Sequence, residues 1–336
     1  MKHLKNRLFI KGIPAIVFLL SALLGDAQVE PINYAVVNKK TFVYKIKDSQ
    51  QLALDVYAQK RSDSTDKKPC VIFVFGGAFV AGQRDDSVYN NYFNCLVVHD
   101  YIVVSISYRL GMRGIKKVSK FHIRPLKNAV DMAADDVYDA TNWVITNADK
   151  LGIDTSKIIL SGSSSGAVTV LEADFYNNNR STGISVLPDS FHYAGVVSFA
   201  GALLSFHGKL KYAHVPAPTM FFHGTADKTV PYTQIKFLNK GLYGSSSVAE
   251  TFKKNNYPYY IYRAEGLGHE EAVLPMIQQL PLIMDFLDRF VMKRLQLQVD
   301  LSYKDPAIKP IMVMSAAQLF KKLQQHNTIA AAGDSK

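Results

Sequence analysis

Lys157-Ile158-Ile159-Leu160-Ser161-Gly162-Ser163-Ser164-Ser165-Gly166-Ala167 is the stretch whose reading decides the fold. A short apolar run enters a G-x-S-x-G pentapeptide, and residues 167–176 can continue it as a helix. Strand, sharp turn and helix in that order present the central serine at a strand end, and the flanking glycines leave room where a β-carbon would obstruct the bend. Alone the pentapeptide says little, because a chain of this length contains it by chance about one time in ten. Its plain reading is a Gly/Ser-rich turn. Two later segments change the weighing: His223-Gly224-Thr225-Ala226-Asp227 and Gly266-Leu267-Gly268-His269 follow apolar runs and supply an acid and a histidine.

The three residue types belong together chemically. A serine hydroxyl is a poor nucleophile at neutral pH and needs a base within hydrogen-bond reach. His269 is the candidate base for Ser164, and a buried Asp227 on the other ring nitrogen would fix the tautomer and stabilise the imidazolium. The plain alternatives are a turn aspartate capping the next segment and a loop histidine. A tetrahedral oxyanion also needs preorganised N–H donors. The backbone of Ser165 is one candidate, and Gly76 and Gly77, after the run Val71-Ile72-Phe73-Val74-Phe75, are the others, with Ala78 next in line. His223 reads as a structural side chain, and His122, His192, His207 and His214 lie outside any constellation.

Working outward, the pattern alternates strands with helices. Phe42–Ile46 and Leu52–Tyr57 read as an antiparallel hairpin. Residues 71–75 and 102–108 read as buried strands, with a helical segment over 89–99 between them. Residues 125–148 carry apolar positions at helical spacing. Further strands are expected at 193–199, 218–222 and 259–262, and further helices at 234–239, 246–255 and 274–293. The result is an α/β protein with a mostly parallel sheet, an antiparallel N-terminal hairpin and helices on both faces. Beyond Phe290, residues 297–303 alternate like an edge strand and 314–325 have the makings of a short helix. The expected division is 1–27, 28–296 and a C-terminal extension, 297–336, to which the sequence assigns no function.

The first of these reads as a secretory signal peptide. Lys2, Lys5, Arg7 and Lys11 precede an apolar stretch from Ile13 to Leu24, and Gly25-Asp26-Ala27 is a small-x-small cleavage pattern. The apolar stretch is shorter than the ~20 residues that span a bilayer, so no stable membrane insertion is expected after cleavage. Its removal lowers the net charge from +11 to +8 and leaves an exported protein, periplasmic or secreted. The remaining lysines are scattered, with no aromatic-interleaved basic stripe of the nucleic-acid-binding kind. Cys70 and Cys95 are too few for a disulfide framework and read as two buried thiols, and no Cys/His cluster has metal-ligand spacing. No cofactor and no metal are expected, and the oligomeric state is not legible.

Over roughly residues 41–290 the chain resembles the α/β-hydrolases of the esterase/lipase branch that use a His-Gly-Gly-Gly-type oxyanion loop. Asp55-Val56-Tyr57 resembles the close of that family's opening hairpin, Ser107-Tyr108-Arg109-Leu110 the segment after its next strand, residues 160–167 its elbow and residues 223–227 its acid segment. Two positions depart from the pattern: Phe75 stands where the family usually has histidine, and Ala78 replaces the third glycine. Both changes keep the backbone N–H groups, and they bear on loop geometry and substrate preference.

The resemblance implies a serine hydrolase that cleaves carboxylic esters through an acyl-enzyme, acting on a small-molecule or polysaccharide ester such as an acetyl or feruloyl group. Two other readings stand beside it. One is an exported peptidase of the prolyl-oligopeptidase-like type, although no room exists for a propeller before Thr41. The other is a catalytically silent binding protein on a hydrolase fold, which only Phe75 encourages. Residues 82–94, 111–124 and 205–215 are the candidate walls of the site.

Overall fold

The computed structural model describes residues 37–60, 66–115, 123–180, 187–206, 208–319 and 321–323. The 1–27 segment lies outside the described residues, as do parts of the candidate site walls at 116–122 and 207. All the described residues belong to one compact unit, which begins at Tyr34.

Five consecutive side chains, Cys70 to Val74, are wholly buried, as a strand covered on both faces requires. They belong to β3 (Lys68–Val74), near the middle of a nine-stranded sheet. In chain order its members are β1 (Val37–Lys47), β2 (Gln50–Gln59), β3, β4 (Ile102–Ile106), β5 (Ile153–Ser163), β6 (Gly195–Phe199), β8 (Thr219–Gly224), β11 (Tyr259–Ala264) and β12 (Gln298–Tyr303). Their spatial order is β1-β2-β4-β3-β5-β6-β8-β11-β12. β2 pairs antiparallel with β1 and β4; every other pairing in the sheet is parallel. The expected mixed sheet with its antiparallel hairpin is therefore the observed one.

Helices cover it. α1 (Asn90–Val98) follows β3, α2 (Arg124–Thr146) and the short α3 (Ala148–Leu151) precede β5, and α4 (Ser165–Asn179) leaves β5 directly. α5 (Ser245–Lys254) packs against β8 and β11, while α6 (Pro275–Gln278) and α7 (Leu280–Phe286) pack against α1. α2 packs on α4, which buries its apolar stripe Ala129, Val130, Ala133, Ala134, Val137 and Val144. Cys70 and Cys95 are both buried and unbridged.

Two elements differ from expectation. Residues 234–239 form not a helix but β9 (Gln234–Phe237), which joins β10 (Lys240–Gly244) and β7 (Ala202–Ser205) in a small second sheet. Leu238, at φ 53°, turns the hairpin between them. The helix expected over 274–293 is broken in two, with proline at the start of both α6 and α7, and ends in a π-helical turn, Leu287–Met292. Proline lacks the N–H that an uninterrupted helix needs, so it starts helices and does not continue them. The edge strand expected over 297–303 is present as residues 298–303, paired parallel with β11.

The hairpin is fastened to the rest by charge. Arg109, just past β4, donates from its backbone N–H and from Nε to the wholly buried Asp136 of α2 at 2.8 and 3.0 Å, and from its other nitrogens to Asp48 in the hairpin turn (2.9 Å) and Asp135 (3.0 Å). Lys47 closes on Asp135 at 2.5 Å and also pairs with Asp139. Asp55 of β2 accepts from Thr41 (2.6 Å) and pairs with Arg84 (3.1 Å). The segments 55–57 and 107–110 thus serve as anchor points for the hairpin.

Parallel strands end on the same edge of a sheet, so the loops after β3, β5, β8 and β11 converge there. The register aligns Val74 with Gly162, Ser163 with Phe199, Phe199 with Phe222, and Gly224 with Ala264. All the candidate residues follow one of these four strand ends.

Candidate active site

Ser164 occupies the turn between β5 and α4 at φ 51°, ψ −116°, a conformation that residues with a β-carbon seldom adopt. Its neighbours permit the bend: a β-carbon on Gly162 would sit 2.4 Å from Gly166 O, and one on Gly166 would sit 2.0 Å from Val74 O. Both glycines of the pentapeptide are therefore required by close backbone approach. Ser164 N–H donates to Phe199 O at 2.8 Å, which ties the turn to β6.

Ser164 Oγ lies 2.7 Å from His269 Nε2, and His269 Nδ1 lies 2.7 Å from Asp227 Oδ2. A carboxylate oxygen at Nδ1 places the imidazole proton there, which leaves Nε2 as the acceptor for the serine hydroxyl. All three side chains are buried. Asp227 Oδ1 accepts from the backbone N–H groups of Thr229 (2.7 Å) and Val230 (3.0 Å), the local turn that fixes the carboxylate. Burial alone would raise the Asp227 carboxyl, but hydrogen bonds from His223 and His269 outweigh it and hold the group well below the usual carboxylate range.

His223 is wholly buried, and its Nε2 lies 3.3 Å from Asp227 Oδ2. The sequence offers one hint of this, since the two residues are four apart across the strand end. Glu270 and Glu271, directly after His269, are also buried. Burial, with the charge of Glu270, pushes the Glu271 carboxyl up to about 8.

The loop after β3 is a strained turn. Gly77 has φ 136°, and a β-carbon there would sit 2.0 Å from Ala81 O; Ala78 and Phe79 follow at φ 55° and 59°. Val80 and Ala81 donate to Gly77 O at 2.9 and 3.1 Å and close it. Gly76 N–H donates to Tyr89 Oη at 3.2 Å. The N–H groups of Gly77, Ala78 and Ser165 have no hydrogen-bond partner among the described residues. A β-carbon on Gly76 would meet Ser163 and Ser164, so this loop lies directly against the Ser164 turn.

Phe75 is buried against Tyr108, ring centroids 4.5 Å apart, and Gly82 lies so close that a β-carbon would be 2.6 Å from the ring. Tyr108 Oη donates to Phe75 O at 3.0 Å and lies 3.4 Å from Ser165 Oγ. An apolar ring thus fills the loop where the resembled family usually places histidine, and a tyrosine holds the backbone. Of the expected walls, residues 82–94 reach the site through Tyr89, and residues 111–124 reach its loop through the bond from Met112 N to Phe79 O at 3.0 Å.

Asp135, Asp136 and Asp139 gather on α2, but Arg109 and Lys47 already pair with them, as an ion-paired cluster rather than a ligand set. No helix among the described residues is long and apolar enough to cross a membrane.

Comparison with known proteins finds likeness to esterases. The BD-FAE family model matches residues 54–204, rather less than half the chain. Carboxylesterase 3B of Mus musculus is 26% identical over 137 residues, which are 40% of this chain and 22% of that protein. Acetylcholinesterase 1 of Caenorhabditis briggsae is 32% identical over 119 residues, 35% of this chain and 18% of that protein. The chain thus spans about a fifth of the length of these curated relatives. Among solved structures, Thermogutta terrifontis esterase 2, phosphoramylated by tabun, superposes with a TM-score of 0.56 at 21% identity, covering 75% of this chain and 94% of that one. The chain has the α/β-hydrolase fold.

Proposed function

We propose that the protein is a serine hydrolase that cleaves carboxylic esters. The observation that carries the reading is the unbroken chain Ser164 Oγ, His269 Nε2, His269 Nδ1, Asp227 Oδ2, with 2.7 Å at each of its two hydrogen bonds. Ser164 Oγ attacks the ester carbonyl as His269 takes its proton. Asp227 holds the imidazole and stabilises its positive charge, and His269 then hands the proton to the departing alcohol. Water, deprotonated by the same histidine, releases the acid from the acyl-enzyme.

Ser165 N–H and the N–H groups of Gly77 and Ala78 serve as the oxyanion donors in this reading. The commitment of Gly76 N–H to Tyr89 supports a donor set one residue further along than Gly76 and Gly77. Each such donor is worth about 3 kcal/mol in the transition state. The names of the carboxylesterase relatives and the BD-FAE match support an ester over a peptide substrate. The finer proposal is removal of acetyl or feruloyl groups from polysaccharides. Export through cleavage after Ala27 is a further proposal, motivated by the basic and apolar start of the chain.

The test compares the purified protein with Ser164→Ala on p-nitrophenyl esters from acetate to long acyl chains, with aminoacyl-arylamides and xylan alongside. Ester turnover that disappears in the variant supports the mechanism. Arylamide cleavage at rates rivalling esters would favour a peptidase. A folded protein that neither turns over any substrate nor takes a fluorophosphonate label would exclude the hydrolase. Release of acetate or ferulate from xylan decides the finer proposal.

A further inference from the structure

The loops that carry Asp227 and His269 bond to each other near their strand ends. Thr225 N–H donates to Ala264 O (3.0 Å), Ala226 N–H to Leu267 O (2.9 Å), and Gly266 N–H to Thr225 Oγ1 (2.8 Å). Further out, beside the reacting side chains, the link is made by a third segment, residues 312–316, from the extension beyond β12.

On the histidine side, His269 N–H donates to Met312 O at 3.3 Å. The buried Glu270 carboxylate spans the gap: Oε1 accepts from Gly268 N–H at 2.8 Å and Oε2 from Met312 N–H at 3.0 Å. The approach is close enough that a β-carbon on Gly268 would stand 2.5 Å from Met312 O. On the aspartate side, Thr229 Oγ1 donates to Met314 O at 2.6 Å, and Ala316 N–H donates to Lys228 O at 3.3 Å. Thr229 is also the residue whose N–H holds Asp227 Oδ1. One short stretch is therefore bonded on one side to the neighbours of the base and on the other to the neighbours of the acid.

We propose that Glu270 and the 312–316 backbone form a positioning clamp that sets the separation of Asp227 and His269. The proposal rests on the reading of Ser164, His269 and Asp227 as the catalytic set. Glu270 acts through its two backbone partners and not on substrate. A carboxylate suits the place because it accepts two N–H bonds at once, one from each segment, and charge-assisted bonds of this kind are the stronger ones. A small displacement of the base from the nucleophile costs far more in rate than in stability, since the reaction needs reacting atoms held close and aligned.

The experiment uses the full chain with Glu270→Gln, Thr229→Val and Thr229→Ser. The amide in Glu270→Gln turns a donor toward one of the two N–H groups, and Thr229→Val removes the bond to Met314 from the opposite loop. Each should lower kcat on a p-nitrophenyl ester about tenfold with KM within about twofold. Each should also shift the downfield proton NMR signal of His269 Nδ1–H, which reports the bond to Asp227 without any substrate. Thr229→Ser, which restores the hydroxyl, should return both readouts to the wild-type values. Because both variants act on one separation, combining Glu270→Gln with Thr229→Val should cost less than the product of the single losses.

Unchanged kcat and an unchanged Nδ1–H signal in Thr229→Val, whatever becomes of Glu270→Gln, overturn the clamp. A lowered melting temperature with full kcat overturns it as well, since the segment would then be a purely structural brace. A wild-type protein without ester turnover, whose Nδ1–H signal still moves in the variants, would remove the proposed reaction and leave the clamp standing.

Discussion

His223 Nε2 lies 3.3 Å from Asp227 Oδ2, the same oxygen that His269 Nδ1 approaches at 2.7 Å. The other contacts of His223 fix its tautomer. Nε2 also faces Val230 O at 3.2 Å, and two oxygens beside one ring nitrogen require a proton there, while Nδ1 lies 2.8 Å from the Ser245 hydroxyl. Asp227 therefore receives donors on both oxygens, two from backbone and two from histidines.

Replacing either residue should separate positioning from catalysis. Asp227→Asn is expected to lower kcat by about four orders of magnitude, because an amide favours the wrong tautomer of His269. His223→Leu removes one donor to Asp227 and the partner of Val230 O, while Ser245 Oγ keeps Gly201 O, so it should cost about 2–3 kcal/mol of stability and about tenfold in kcat. Urea melts and steady-state kinetics on the two variants check both figures. Because the Asp227 carboxyl titrates below its unfolded value, its stabilisation is present above the unfolded pKa and lost only as pH falls through the folded one. The stability deficit of Asp227→Asn should accordingly shrink in strong acid.

Gly77→Ala should cripple the loop after β3. At φ 136° an L side chain is strained whatever space it has, and here the added carbon would sit 2.0 Å from Ala81 O. The expected loss is at least about 2 kcal/mol in stability, with kcat down 100-fold or more if the loop's N–H groups bind the oxyanion. Ala78→Gly, at φ 55°, trades relief of left-handed strain against chain entropy and should stay within about 1 kcal/mol of wild type. Comparing the two by melting and by kcat isolates the conformational requirement.

Stability should fall as pH rises from about 4 to about 8. Burial pushes the carboxyls of Glu172 and Asp174 in α4 up to about 7, and burial with the charge of Glu270 pushes Glu271 up to about 8. In the unfolded chain these groups lose their protons near pH 4. Between the two values the native state holds protons that the unfolded state has released, so each unit of pH favours unfolding. Glu172→Gln keeps an acceptor for Leu204 N–H and should gain about 1–3 kcal/mol over wild type at pH 8 and nothing at pH 4. Urea melts across that range decide it.

Asp136→Ala should leave the Arg109 guanidinium and backbone N–H short of their buried partner and cost about 3 kcal/mol. KM should stay near wild type, since the pair fastens the N-terminal hairpin to α2 and does not touch Ser164, His269 or Asp227. A comparable loss from Arg109→Ala, with little further loss in the double variant, would show that the two act as one unit.

Legibility in the sequence depended on where the structural information lies. The elbow was legible because its geometry demands particular residues: Gly162 and Gly166 have no room for a β-carbon, so the motif is written in side-chain identity. The strands β3 and β5 were legible because strands covered on both faces are continuous apolar runs. Residues 234–239 were misread because β9 is exposed on both faces, which leaves no period of two for pattern to detect. The break at Pro281 was masked by apolar residues on either side that keep helical spacing. The 312–316 contacts were invisible because Met312 and Met314 act through backbone carbonyls, which any residue carries. Tyr89 escaped notice for a related reason: its hydroxyl matters only once topology brings it to Gly76.

Residues 312–316 also come after Ser164, Asp227 and His269 in the order of synthesis. Chains leave the ribosome N-terminus first, so a nascent chain that has emerged only as far as β12 already contains all three side chains, while the stretch that bridges their loops is still being made. In the finished molecule that stretch is joined to β12 by residues 304–311, most of them exposed. A single protease cut there would leave the sheet and the three side chains in one piece yet free the bridge from its covalent tether, so under the proposed clamp limited proteolysis should lower ester turnover without unfolding the sheet.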